Sequence, residues 1–182
     1  MNDNVLIDIT PPDADRKQVE TVFSMIEESL GFVPDGLRLY GVSPALLKSF
    51  VTAIGYFRAQ DRLSQELLAT IRYLTASKND CSFCIDFNEG ILLQLGKDRA
   101  ELQAAREDIQ KAPLPDNERA LLEFALAALD NPDSASAEEI AKMKALGWTD
   151  QDIFDAVYVA ANNRAFTTML KTFGIERQGQ LD

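Results

Sequence analysis

Apolar residues recur every three or four positions through most of this chain, the spacing of one face of a helix. The first such segment carries Val19, Val22, Phe23, Ile26 and Leu30, with Asp13 as its predicted cap and Gly31 as its stop. A turn follows at Phe32-Val33-Pro34-Asp35-Gly36, then a short helix around Leu37 and Tyr40. Ser43-Pro44 is a helix start, a cap followed by proline at the first helical position, and the helix runs through Leu46, Leu47, Phe50, Val51, Ile54 and Phe57. Ser64 caps the next, with Leu67, Leu68, Ile71 and Leu74 in its body. Asp80 is the predicted cap of a helix bearing Phe83, Ile85, Phe87, Ile91, Leu92, Leu93 and Leu95, closed by Gly96. Asp98 caps a charged helix reaching about Ile109, whose thin apolar face predicts a surface position. Pro113-Leu114-Pro115-Asp116 breaks the chain ahead of an Ala- and Leu-rich helix, Ala120 to Leu129, that reads as core. Ser136 and Glu139 match a capping box before a short helix ending at Leu146-Gly147. Thr149 and Asp152 open the last and longest helix, with Ile153, Phe154, Val157, Tyr158, Phe166 and Leu170 along it and Gly174 as its stop.

Residues 1–12 read as a loose or short extended entry, and the polar tail 176–182 as frayed. No convincing strand alternation exists beyond the first ten residues. The expected fold class is therefore all-α, a multi-helix fold. A single helical domain over 1–182 is expected, with 1–42 as an N-terminal helical extension and the proline break at 113–115 as the best candidate for a seam between two helical halves.

Charge and composition narrow the function. The 182 residues are 46% apolar, enough for a sizeable core. A net charge of −11 argues against nucleic acid or an anionic membrane surface as partner. No run of about 18 apolar residues occurs, so no spanning helix is expected. The N-terminus lacks the basic and apolar regions of a signal peptide, and a cytoplasmic location is the default expectation. The chain has no histidine. Ser-His-Asp and Cys-His mechanisms and His-rich metal sites are thus excluded within it. Proton transfer must use a carboxylate, a thiol, a tyrosine, a lysine or water.

Against that background the two cysteines stand out, because they are Cys81 and Cys84, spaced C-x-x-C. Random placement of two cysteines on such a chain gives this spacing roughly one time in a hundred. The pair falls at a predicted helix start, where unpaired N–H groups and the helix dipole stabilise a thiolate. On that argument Cys81, nearer the terminus, has the lower pKa. In a reducing compartment such a pair is redox-active, metal-binding or simply buried. A structural zinc site needs four ligands, and no second C-x-x-C or histidine exists to complete one. An inert buried pair remains open, since Phe83, Ile85 and Phe87 make the surroundings apolar.

The order Leu63-Ser64, Glu66-Leu67, Asn79, Cys81, Cys84 resembles the Leu-Ser…Glu-Leu…Asn-x-Cys-x-x-Cys pattern of the carboxymuconolactone decarboxylase / alkyl hydroperoxidase D-like superfamily. Asp155-Ala156-Val157, then Asn162-Asn163-Arg164 and Phe173-Gly174-Ile175, resemble its closing helix. The resemblance covers roughly 45–175. It implies an all-helical fold that forms trimers or hexamers. In its peroxidase branch it implies a thiol peroxidase (peroxiredoxin-type) or disulfide reductase. The resemblance makes Cys84 the attacking thiol and Cys81 the resolving one. It implies a peroxide or disulfide as substrate and a thiol protein as electron donor, with no organic cofactor and no metal. The family histidine falls on Asn88, its glutamate on Ala69, and a position that is histidine in some members on Phe83. Glu66, one turn before Ala69, and Asn88 are the candidates to replace that relay; Asp86 and Glu89 are also close in sequence. Two other readings stay open: a non-catalytic oligomeric scaffold, motivated by the absent histidine and glutamate, and a decarboxylase-like enzyme, against which the C-x-x-C itself argues.

Overall fold

A computed structural model describes residues 5–175 of the chain; the expectations for 1–4 and for the tail 176–182 lie outside the described residues. Helices make up nearly all of the regular structure, and no strand occurs among the described residues. In order they are α1 (Arg16–Leu30), α2 (Asp35–Tyr40), α3 (Pro44–Ala59), α4 (Gln65–Lys78), α5 (Ser82–Gln94), α6 (Arg99–Glu107), α7 (Asp116–Asp130), α8 (Ala137–Ala145) and α9 (Asp150–Thr172), with two 3-10 turns at Ile109–Lys111 and Pro132–Ser134. The all-α fold expected from the periodicity is the one observed.

Most boundaries come from short-range chemistry. The Ser64 hydroxyl accepts from the Leu67 amide at 3.0 Å, and Asp98 accepts from Ala100 and Glu101. Ser136 accepts from Glu139, and Thr149 and Asp152 cap reciprocally, each side chain accepting from the other's amide. Gly31 ends α1 in the left-handed conformation, φ 80°. Asp13 is not the cap of α1: the helix opens after Asp15, and no side chain caps it.

The chain divides into two compact units, and the division falls between Gln60 and Asp61; the Pro113–Pro115 break lies inside the second. Among the described residues the first unit holds 5–60 and 169–175. Its core includes Val19, Ile26, Leu37, Leu39, Leu47 and Phe57. Gly41, just past α2, lies so close to its neighbours that a Cβ there would stand 2.9 Å from both the Arg38 carbonyl oxygen and the Phe23 ring.

The second unit, residues 61–168, is built around α4. Leu67 to Ile71 and Tyr73 to Ala76 are all buried, so this helix has almost no solvent face. A helix enclosed on all sides is a central element rather than an amphipathic cover. It packs on α5, α6 and α7. α6 contributes only Leu102 and Ala105 to the interior, as its thin apolar face led one to expect. No helix among the described residues is long and apolar enough to cross a membrane.

Candidate active site

Three helices of the second unit meet at the cysteines. α4 and α5 form an antiparallel hairpin joined by a tight link. Asn79 ends α4, its side-chain amide donating to the Thr75 carbonyl, and Asp80 turns the chain with φ 48°. That left-handed conformation is one aspartate tolerates better than most residues. Asp80 therefore serves as the turn and not as the cap expected of it. The cap of α5 is Cys81, in extended conformation, whose sulfur accepts from the Cys84 amide at 3.4 Å. A residue outside the helix can swing its side chain over the first turn, and this brings the two sulfurs to 2.7 Å. Disulfide formation, at about 2.0 Å, needs a further approach of only roughly 0.7 Å.

Both side chains are buried, Cys81 at 4% and Cys84 at 2% exposure, and both are free thiols. The Cys84 pKa is driven well above the ordinary thiol range, first by its hydrogen bond with Cys81, then by burial and by charge on Cys81. Opposing this, the Thr167 hydroxyl donates to the Cys84 sulfur at 3.6 Å from α9. Two sulfurs this close cannot both ionise readily.

Asn88, one turn beyond Cys84, is buried. Its amide nitrogen donates to the Cys84 carbonyl at 2.8 Å, and its oxygen accepts from the Arg72 Nε at 3.0 Å. It thus holds the cysteine turn of α5 and ties it to α4. Arg72 was not legible as a site residue, because its partner is sixteen positions away. Glu66 is placed elsewhere. The pairs Arg72–Asn88 and Tyr73–Glu89 set the hairpin register, which puts the cysteines beside the C-terminal turns of α4. Glu66 sits in its first turn, some ten residues and about 15 Å away along the axis. There it neighbours Glu118, whose pKa is raised by burial and then by the Glu66 charge, against the hydrogen bond from Ser64 and the charge of Lys97. The structure does not bring Glu66 to the sulfurs. Asp86 is exposed, and Glu89 is buried against Tyr73 and paired with Arg99. Among the described residues no three Cys, Asp or Glu side chains gather as metal ligands.

No family model and no curated protein matches this chain. Solved structures do. An uncharacterized peroxidase-related protein from Silicibacter sp. TM1040 superposes with a TM-score of 0.85 at 20% identity, covering 100% of this chain and 97% of its own. An uncharacterized peroxidase-related protein from Ralstonia eutropha JMP134, described as an alkylhydroperoxidase AhpD core, gives 0.77 at 22% identity, with 96% and 90% covered. The debrominase Bmp8, solved in complex with 2,3,4-tribromopyrrole, gives 0.72 at 22% identity, with 96% and 92% covered. The chain has the alkyl hydroperoxidase D-like helical fold that the resemblance implied.

Proposed function

We propose that the chain is a thiol-dependent oxidoreductase, a peroxidase or disulfide reductase, working through Cys84 and Cys81. The carrying observation is the 2.7 Å approach of two sulfurs at a helix start, one of them accepting a backbone amide. Cys84 attacks and Cys81 resolves. With no histidine in the chain, the base that takes the Cys84 proton is the Cys81 thiolate itself, already in hydrogen-bond contact. Thr167 then stabilises the charge on Cys84. The Cys84 thiolate bonds to the distal oxygen of a hydroperoxide and the O–O bond breaks. The alkoxide leaves with the proton held on Cys81, as an alcohol, and Cys84 becomes a sulfenic acid. Cys81 attacks that sulfur, the S–S bond forms, and hydroxide departs to take a solvent proton. Two electrons have passed from the dithiol to the peroxide, and a thiol protein returns them by exchange. Asn88 holds the turn in place. Glu66, at the far end of α4, has no part in this relay.

The same reading makes the protein a cytoplasmic homo-oligomer, a trimer or hexamer, supported by the fold and by the exposed, stacked Phe154 and Tyr158 on α9. Brominated pyrroles, the compound class bound by the debrominase neighbour, belong beside hydroperoxides as trial oxidants. A second reading, a non-catalytic scaffold, is favoured by one observation, the near-complete burial of both sulfurs.

The deciding experiment treats the reduced native protein with one equivalent of an organic hydroperoxide and follows its mass. A loss of two hydrogens is expected for the natural chain, a stalled sulfenic acid for Cys81→Ser, and no reaction for Cys84→Ser. Thiols that react only after denaturation would move the assignment to the scaffold.

A further inference from the structure

The buried face of α9 carries two side chains that hydrophobic packing does not explain. Thr167 meets Cys84. Asn163, one turn earlier on the same face, is 8% exposed, and its Oδ1 is fully buried with no hydrogen-bond partner. Its place relative to the cysteines follows from two contacts. Arg62, just ahead of α4, pairs with Asp152 at the start of α9, and Thr167 reaches Cys84 beside the other end of α4. The two helices therefore run in the same sense, which sets Asn163 at the level of Arg72 and Asn88. A second orphan, the Thr75 hydroxyl, is buried on α4 at the level of the cysteines and also lacks a partner. Buried polar groups without partners are rare and unfavourable, and the Asn163 oxygen, one turn from the threonine that meets Cys84, marks a place where something else supplies the hydrogen bond.

We propose that Asn163 forms a polar subsite beside Cys84 for the –O–O–H group of a hydroperoxide. The hydroperoxide O–H donates to the Asn163 amide oxygen, which presents the distal oxygen to the Cys84 sulfur. That oxygen keeps its hydrogen as the S–O bond forms and the O–O bond breaks, so Asn163 holds the same hydrogen from substrate to sulfenic acid. The assignment rests on the peroxidase reading.

The test compares two reagents on Cys84 in the Cys81→Ser background: cumene hydroperoxide, which carries the O–H donor, and methyl methanethiosulfonate, which carries none and reports thiolate reactivity alone. Asn163→Leu is expected to slow the hydroperoxide reaction by about 10- to 100-fold while leaving the thiosulfonate rate within about twofold. Its Tm is expected to be equal or higher, because it replaces an orphaned amide with an apolar group. Asn163→Ser, which keeps an acceptor, is expected to fall between, and it decides the question by the same ratio should the leucine variant not fold. Equal loss with both reagents would overturn the subsite, since Asn163 would then act on the thiolate or the fold. No change with either would also overturn it and leave the orphan to a water. A natural chain that reacts with the thiosulfonate but with no hydroperoxide would instead overturn the peroxidase reading, and the ligand with it.

Discussion

The proposed chemistry of this site turns on the proton that Cys84 must give up. The raised pKa of Cys84 originates mainly in its partner, so removing the partner should reverse it. In Cys81→Ser the Cys84 pKa is expected to fall back toward the ordinary thiol value of about 8.5, read from thiolate absorbance against pH. The sign of the stability effect follows. A group protonated more tightly in the folded state contributes stability below its unfolded pKa and loses it as pH rises through the folded one. The natural chain should therefore weaken above about pH 8.5, and Cys84→Ser should show less of that slope. At this scale the sequence was informative about the cysteines and about Asn88, which share one short stretch. Asn163 was visible only within the polar interruption Asn162-Asn163-Arg164 of an apolar helix, and Thr167 was not legible, because its contact is with a cysteine eighty-three residues upstream. Arg164, in the same interruption, turns outward and donates to the Leu129 carbonyl.

Among the elements, the starts were legible wherever a side chain reaches an amide two or three residues on, as at Ser64, Asp98, Ser136 and Thr149. Asp80 failed that rule for a local reason. The tight link between α4 and α5 needed the aspartate as a left-handed turn, which moved the cap to a sulfur. Glu66 was misplaced as a relay for a different reason. Spacing along one helix does not say which end of its neighbour it faces. The start of α9 offers a test of the short-range chemistry. Burial works to raise the Asp152 pKa, but the hydrogen bonds from Arg62 and Thr149 outweigh it, and the net shift is downward. Its stabilising contribution is present above the ordinary carboxylate value of about 3.9 and is lost as pH falls through the lower, folded one. Asp152→Asn is expected to cost about 1 kcal/mol in urea unfolding at pH 7, and the difference should fade below about pH 4.

At the scale of the whole molecule, the stacked Phe154 and Tyr158 are exposed at 67% and 40%. Ala161, Ala165 and Met169 continue the exposed stripe along α9 at helical spacing. A charge of −11 opposes self-association at low salt, so the proposed oligomer should tighten as ionic strength rises. Phe154→Arg is expected to lower the mass measured by light scattering while leaving the thiol titration unchanged; an unaltered mass would remove this face from the interface. The division at Gln60 was not legible, because nothing in the local pattern distinguishes a boundary between compact units from an ordinary helix–helix connection. One further property follows from the way α5 begins. Its first turn is fastened by the same sulfur that the proposed reaction consumes, so every oxidation turns the acceptor of the Cys84 amide from a thiol into a disulfide sulfur and every reduction turns it back. The helix start is thus a gauge as well as a tool: the rate at which that single amide exchanges its hydrogen counts the oxidised fraction of the protein, without a dye or a label.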